Sequence, residues 1–221
     1  MFLTLDIAKS LIKLIASLIT YFWLIPLLGY FRAWTAKKMG DSTPEMLGFL
    51  TLDPFVHIDM IGLAVLCFLR AGWGVHIPIY LSNIDGRYAS AKRLCALFSD
   101  TFMSFVVATS TVVIMVLLGY NFNQLVAAGN QPPSMIVAFY TLLLTTLHLS
   151  MFLMLINFVT NLASFIVWSV SRRTSFYNPQ IQIFLMLGPL LIYILFGPYL
   201  YELFYLGVSY MSQLILRLFG M

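Results

Sequence analysis

The fold is decided by residues 32–62, which read Arg32-Ala-Trp-Thr-Ala-Lys-Lys-Met-Gly-Asp41-Ser-Thr-Pro-Glu-Met-Leu-Gly-Phe-Leu-Thr-Leu-Asp-Pro-Phe-Val-His-Ile-Asp59-Met-Ile-Gly62. The chain before Lys37 is apolar, and residues 39–53 are polar and rich in glycine and proline, which favours turns. Inside that polar segment, Phe49-Leu-Thr-Leu52 predicts a short strand. Apolar sequence resumes at His57. The stretch therefore predicts a membrane helix that ends in a polar turn region, followed by a second apolar segment.

Composition places the chain in a membrane. Hydrophobic residues are 61% of the chain and charged residues 9%, and the mean hydropathy is +0.94. These values are typical of polytopic membrane proteins. The net charge of +4 comes from basic residues that flank apolar runs, which favours contact with lipid headgroups over binding to nucleic acid. Cys67 and Cys95 lack Cys-x-x-Cys spacing, and we expect both to be reduced, buried thiols.

We predict an all-α polytopic membrane protein with four to six transmembrane or re-entrant helices and a short cytoplasmic β-like segment. It forms a single integral membrane domain over residues 1–221. Each crossing needs about 20 apolar residues, and runs of this kind lie at 18–36, 94–118, 134–170 and 181–219. The last run is expected to break around Gly197-Pro198. Segment 55–78 is interrupted by one arginine and several glycines, a pattern that favours a re-entrant segment over a clean crossing.

Basic residues predict which loops face the cytoplasm. Two loops are rich in arginine and lysine and are expected to be cytoplasmic, whereas the uncharged loop 119–133 between them is expected to lie outside. If segment 55–78 is re-entrant, both of its ends and the end of the first span also face the cytoplasm. The residues that carry this orientation are Lys37, Lys38, Arg87, Lys92, Arg93, Arg172 and Arg173.

The quoted stretch resembles the site-2 protease family of intramembrane zinc metalloproteases. In that family, a helix carrying His-Glu-x-x-His runs into Ala-Trp-x-Ala-x-x-x-Gly-Asp. It continues into Gly-x-Leu-Thr-Leu-Asn-Pro-x-x-His-x-Asp-x-x-Gly, and residues 33–62 keep this downstream frame nearly intact. The segment Gly72-Trp-Gly-Val-His-Ile-Pro78 resembles the family's Gly-Trp-Ala-Lys-Pro-Val-Pro. The resemblance covers residues 20–105 and implies a site-2 protease-like core there, with additional spans in 106–221. It implies an integral protein, which we expect in the bacterial cytoplasmic (inner) membrane.

The metal positions that this resemblance identifies have all been replaced. Leu28, Gly29 and Arg32 stand where the family reads His, Glu and His, and Ser169 stands where its third zinc ligand, an aspartate, is expected. Leucine and glycine side chains donate no lone pair, and arginine is a permanent cation that repels a divalent metal. The resemblance therefore implies the fold without the zinc, and we expect no metal, no other cofactor and no catalytic residue.

Ionisable side chains near the apolar segments form the candidate site, because such groups are costly in a membrane. Arg32 has two interpretations: it snorkels to the headgroups, or its guanidinium fills the vacated metal position and pairs with Asp59 or Asp100. A new metal site could combine His57, Asp59, His76, Asp53 and Cys67, but these residues do not have the spacing of a known metal-ligand motif. His148 is expected to be a buried, hydrogen-bonded histidine. The candidate polar cluster, which is also the candidate partner-binding site, comprises Arg32, Asp53, His57, Asp59, His76 and Asp100.

The function that these residues favour is non-catalytic. Residues 33–62 keep the motif sequence of the family, while the zinc ligands are lost. This combination predicts an inactive site-2 protease-like protein that acts as an accessory or scaffold subunit. Such a protein binds other transmembrane proteins in a membrane complex. Two alternatives stay open: an active intramembrane protease with substituted ligands, and a small transporter or channel subunit that uses intramembrane charges. Integral membrane proteins and lipids are the expected partners, and nucleic acid is not.

Overall fold

A computed structural model of the chain describes residues 2–127, 134–171 and 179–218, and these residues fold almost entirely into helices. The α-helices, in chain order, are α1 (Phe2–Met39), α2 (Thr43–Met46), α3 (Pro54–His57), α4 (Met60–Leu69), α5 (Ala89–Ala127), α6 (Ser134–Ser171) and α7 (Pro179–Leu218). A one-turn 3-10 helix, Leu81–Asn83, precedes α5. The prediction of an all-α fold is confirmed.

Within the described residues, three helices are long and apolar enough to cross a membrane, over Ser10–Met39, Ala89–Leu118 and Met135–Ser169. Helix α7 joins them if its two halves, Gly188–Leu200 and Glu202–Tyr210, count as one span bent by 43°. The bend follows Pro198, which lies inside α7 and interrupts the helical hydrogen bonds because it lacks an N–H group. The predicted break at Gly197-Pro198 is thus confirmed to within a turn. The chain is an all-α membrane protein.

The predicted strand at residues 49–52 is wrong. These residues form a bend between α2 and α3, in which the N–H of Phe49 donates to the carbonyl of Pro44 at 2.9 Å. Gly48, with φ of +84°, turns the chain there. A strand needs a neighbouring strand to satisfy its backbone groups, and the described residues hold no strand. Further along, Ile58 and Gly74 form an isolated antiparallel bridge.

Two other predictions fall at the edge of what the structure describes. The loop expected from residue 119 is helical as far as Ala127, where α5 ends. Its remainder, 128–133, lies outside the described residues, and so do Arg172 and Arg173. Residues 119–127 contain no charge and no proline, so the helix meets no residue that has to break it before Ala127.

Segment 55–78 enters and leaves the bundle at the same end of α1. Asp41, just beyond α1, accepts the backbone N–H of Tyr80 at 2.7 Å and the side-chain amide of Asn83 at 2.9 Å, so the chain that leaves the segment is tied to the end of α1. Between them, α4 has 10 residues and a length of about 15 Å, half of a hydrocarbon core of about 30 Å. Beyond α4, Arg70 donates to the carbonyl of Ser10 at 2.9 Å, near the start of α1. The segment therefore runs along α1 and returns to the same end of that helix, and its re-entry into the membrane stays a prediction.

The return segment, residues 70–80, packs in close contact with α4 and α1. A Cβ added to Gly62 would lie 2.0 Å from the carbonyl oxygen of Trp73, and one added to Gly74 would lie 2.6 Å from Cγ2 of Ile25. Only glycine permits such approaches. The hydroxyl of Tyr21 in α1 donates to the same Trp73 carbonyl at 2.7 Å. The glycines that interrupt the apolar run are therefore the contacts that allow extended chain to pack inside the bundle.

Replacing Tyr21 with phenylalanine is expected to lower the free energy of unfolding by about 1–2 kcal/mol, because the buried Trp73 carbonyl loses its donor. Unfolding by sodium dodecyl sulfate in mixed micelles, followed by circular dichroism, measures the change. Tyr80→Phe is the matched control, since Tyr80 is exposed and its loss should change stability by less than about 0.5 kcal/mol. Equal stability of the two variants would contradict the role of Tyr21.

The end of α1, the start of α5 and the end of α6 meet at one end of the bundle. Arg93 in α5 donates to the carbonyl of Leu81 at 2.8 Å and to Asp85 at 3.1 Å. Its guanidinium lies 4.7 Å from the ring centroid of Trp168 in α6. The contacts of Asp41 bring the end of α1 to the same place. We call this region the basic end, and its basic residues are Lys37, Lys38, Arg87, Lys92 and Arg93.

Side-chain contacts give the directions of the long helices. Helix α6 runs parallel to α1, because the hydroxyls of Thr20 and Thr146 lie 3.3 Å apart and Asn161 bonds Arg32 further toward the basic end. Helix α5 starts at the basic end and runs the opposite way. Helix α7 is antiparallel to α6. The start of α1 and the end of α7 therefore lie at the end of the bundle opposite the basic residues.

Three expected burials are wrong. Cys67 and Cys95 are free and exposed, and His148 is exposed as well, with its Nδ1 hydrogen-bonded to the carbonyl of Leu144 at 2.8 Å. In a membrane protein the outer surface faces hydrocarbon, so both the interior and the exterior of a span are apolar. An apolar sequence context alone therefore does not distinguish a buried position from a lipid-facing one.

Candidate functional site

Arg32 lies in the interior of the bundle, where α1 faces α5 and α6. Buried positions on α1 recur every three or four residues, at 21, 25, 28, 32 and 36, so the arginine occupies a place on the buried stripe of the helix. It is 4% exposed. Its Nε donates to the carbonyl of Ile77 at 3.3 Å, and its Nη1 donates to that of Leu97 at 3.2 Å. The snorkelling interpretation is wrong, because the side chain reaches across the bundle and not to its surface.

Asp100 and Asn161 complete a closed network with Arg32. Nη1 of Arg32 donates to Oδ2 of Asp100 at 2.5 Å and to Oδ1 of Asn161 at 2.8 Å. Nδ2 of Asn161 in turn donates to Oδ1 of Asp100 at 2.8 Å, which also accepts the N–H of Thr101 at 2.7 Å. The partner of Arg32 is therefore Asp100 and not Asp59. A buried ion pair needs such additional hydrogen bonds to offset the loss of hydration.

The space beside Gly29 is filled by the side chain of His57. That imidazole is 1% exposed, and its Nε2 lies 2.8 Å from the carbonyl oxygen of Thr51, so Nε2 carries the proton and donates it. Nδ1 therefore holds the lone pair, and no donor among the described residues reaches it. A Cβ added to Gly29 would lie 2.2 Å from Nδ1 and 2.7 Å from Cε1. The ring thus occupies the volume that any side chain at position 29 requires.

The side chains of His57 and His76 both line a cavity of about 50 Å³ beside Arg32. A cavity of this size holds only a few water molecules.

The structure brings four members of the candidate polar cluster to this cavity. The other two cap helices outside it: Asp53 accepts the N–H of Phe55 at 3.0 Å, and Asp59 accepts those of Ile61 at 2.7 Å and Gly62 at 3.2 Å. Side chains at helix N-termini act in this way to satisfy unpaired backbone donors. A role of the two caps in partner binding stays a prediction. The four that line the cavity are Arg32, His57, His76 and Asp100.

Leu28 and Gly29 line the same cavity, whereas Ser169 lies elsewhere. The exposed hydroxyl of Ser169 donates to the carbonyl of Ile166 at 2.7 Å. Ser169 follows Asn161 by eight residues, which places it about 12 Å further along α6. The residue of α6 that faces Arg32 is therefore Asn161.

Sequence reasoning missed Asn161 as a site residue, together with Asn157 and Thr160, which line the cavity. A signal for Asn161 was present: it follows Leu153 and Ile156 at helical spacing on the buried stripe of an otherwise apolar helix. An amide on such a stripe has to find a partner inside the bundle. The partner itself could not be read from the sequence, because it depends on how α1, α5 and α6 are rotated against one another.

Chemically, the site is a closed polar network in which each charge is neutralised internally. In the described parts of the chain, no group of three or more His, Cys, Asp or Glu side chains is placed to hold a metal ion. The network links α1, α5 and α6 away from their ends, which fixes the packing of the three helices. Comparisons with protein-family models, with curated proteins and with solved structures find no match to this chain.

Proposed function

We propose that the chain is a catalytically inactive site-2 protease-like membrane protein that binds transmembrane segments of other proteins, as an accessory or scaffold subunit. The observation that carries the proposal is the closed network of Arg32, Asp100 and Asn161, together with the imidazole of His57 above Gly29. In the resembled family, the corresponding positions hold zinc and a catalytic carboxylate. Here, the chain's own side chains fill the space between α1, α5 and α6.

The rival proposal of an active protease has less support. Catalytic zinc needs three protein ligands and an open position for water, and the cavity beside Arg32 is lined by a guanidinium that repels a dication. Its volume of about 50 Å³ is far below the 300–1,000 Å³ of typical ligand pockets. A transporter is also less well supported, because Arg32 and Asp100 bind each other and Asp59 caps α4.

A surface for a transmembrane partner is available on segment 55–78. Helix α4 is too short to cross a bilayer, and its outer face is strongly apolar, with Met60 77% and Phe68 86% exposed. Phe55 at the start of the segment is also exposed. Large side chains of this kind, on a short helix at the edge of the bundle, offer a contact area that a neighbouring transmembrane helix can cover.

A photocrosslinking experiment tests this function. The photoreactive residue p-benzoylphenylalanine is placed at Phe55 or Met60 in native membranes, and Phe102 on α5 is the matched control because it is 60% exposed. We expect these two positions to yield discrete adducts, identified by mass spectrometry as membrane proteins, and the control to yield lipid adducts. Adducts of the same kind at all three positions would contradict a specific partner surface.

Metal analysis of the purified protein tests the other half of the proposal. We expect less than about 0.1 zinc per chain after purification without chelator, because a fixed guanidinium and an internally satisfied carboxylate give the ion no complete ligand set. The proposal of an inactive protein is overturned if zinc is stoichiometric and is lost together with cleavage of a transmembrane substrate.

A further inference from the structure

A large groove opens on the side of the bundle between the far end of α4 and the two halves of α7. Its volume is about 700 Å³, and its walls include Phe68, Arg70, His148, Ile194 and Glu202. This groove is separate from the cavity beside Arg32, because no residue lines both. It faces outward from the bundle, where the surroundings of a membrane protein are lipid.

The groove carries one positive and one negative charge. Arg70 uses one guanidinium nitrogen to bond the carbonyl of Ser10 at 2.9 Å, and the carboxylate of Glu202 is exposed. In the described part of the chain, the ion pairs join Arg32 to Asp100, Lys37 to Glu45 and Arg93 to Asp85, and none includes Arg70 or Glu202. Charges at the lipid-facing surface are costly without a partner.

The two charges lie at the level of the lipid headgroups. Ser10, which Arg70 bonds, is the first residue of the apolar span of α1, and that span is about 45 Å long, close to the thickness of a bilayer with its headgroups. Ile194, on the first half of α7, lies eight residues before Glu202, which places it about 12 Å deeper in the membrane. The groove is therefore polar at its outer end and apolar toward the bilayer centre.

We propose that this groove binds one phospholipid whose headgroup combines a phosphate with a primary ammonium, as in phosphatidylethanolamine. The phosphate accepts hydrogen bonds from the free guanidinium nitrogens of Arg70, and the ammonium donates to the carboxylate of Glu202. An acyl chain then lies along Ile194 and the exposed ring of Phe68. The groove thus offers one charge of each sign to a headgroup that carries one charge of each sign.

Other lipids fit the groove less well. A purely anionic headgroup places no positive charge beside Glu202, and a quaternary ammonium has no N–H to donate to its carboxylate. The alternative within the protein is that Arg70 and Glu202 pair with each other and leave no charge for a lipid. The proposal does not depend on the scaffold function, since the crosslinking positions test partner contact and the groove is tested by its lipid.

Native mass spectrometry of the purified full chain tests the proposal. The protein is exchanged into an equimolar mixture of phosphatidylethanolamine, phosphatidylcholine and phosphatidylglycerol, and the retained lipid is counted. We expect the parent to retain phosphatidylethanolamine about tenfold over phosphatidylcholine. Arg70→Gln should lose most retained phospholipid, whereas Glu202→Gln should retain phospholipid without this preference. Arg87→Gln and Glu45→Gln, outside the groove, are the matched controls and should behave like the parent.

The charge swap Arg70→Glu with Glu202→Arg separates a lipid site from an internal ion pair. If the two side chains serve only each other, the lipid ratios are the same in the parent and in both single variants, and the swap restores the stability that the single variants lose. That result overturns the proposal. Under the proposal, the swap reverses the charge order and leaves the preference for the primary ammonium lost.

Discussion

Replacing Arg32 with methionine is expected to lower the free energy of unfolding by about 3–5 kcal/mol, because the carboxylate of Asp100 then stays buried without its cation. Methionine keeps much of the length and apolar volume of the arginine stem, so the change isolates the charge and its hydrogen bonds. The three acceptors around Nη1 and the one at Nε lose their donor together. Unfolding by sodium dodecyl sulfate in mixed micelles measures the difference. If Arg32→Met yields no folded protein on purification, the destabilisation is larger than expected and supports the prediction.

The double variant Arg32→Met with Asp100→Asn identifies the cause. Since the asparagine carries no charge, the double variant is expected to recover at least half of the stability that Arg32→Met loses. Lys37→Met on the same helix is the control: its ion pair with Glu45 is exposed, and its loss should cost no more than about 1 kcal/mol. If Arg32→Met and Asp100→Asn each have the stability of the parent, the network does not hold the three helices together.

Replacing Gly29 with alanine is expected to destabilise the protein by about 2–3 kcal/mol, even though alanine is the better helix former by about 1 kcal/mol. The added methyl group would lie 2.2 Å from Nδ1 of His57, and the ring cannot retreat without losing its hydrogen bond to Thr51. The same unfolding measurement applies. Gly207→Ala in α7 is the control, because nothing lies within 4 Å of a Cβ there, and it should be neutral or slightly stabilising.

A second substitution tests whether His57 causes the conflict. His57→Ala removes the ring, so adding Gly29→Ala to it is expected to cost nothing further and to recover some helix stability. The combined variant should therefore be no less stable than His57→Ala alone. An additional loss of about 2 kcal/mol in the combined variant would show that the conflict at position 29 lies with another neighbour.

The sequence predicted the long helices because they follow from local composition. Apolar runs define the long helices, and the glycines from Gly62 to Gly74 indicate where extended chain enters the bundle. The prediction of a strand at 49–52 was wrong because β-propensity describes how well a residue fits against neighbouring strands. Four residues of sequence do not show whether a neighbouring strand exists.

The candidate site was predicted in part. Arg32 and Asp100 both fall on buried helical stripes, which is information that the sequence contains, and their pairing was one of two partners considered. Ser169 was assigned to the site from its position in the alignment with the resembled family. Asn161 was overlooked because the rotation of α6, which decides the residue that faces Arg32, is set by packing against α1 and α5. The exposure of Cys67 and His148 was missed for a related reason, since lipid and protein interior favour the same residues.

The contact between Gly29 and His57 also constrains how this chain can change over generations. Any side chain at position 29 meets the imidazole of His57 first. A larger residue at position 29 therefore requires that residue 57 shifts or is replaced by a smaller residue, and a change at position 29 alone is expected to lower stability.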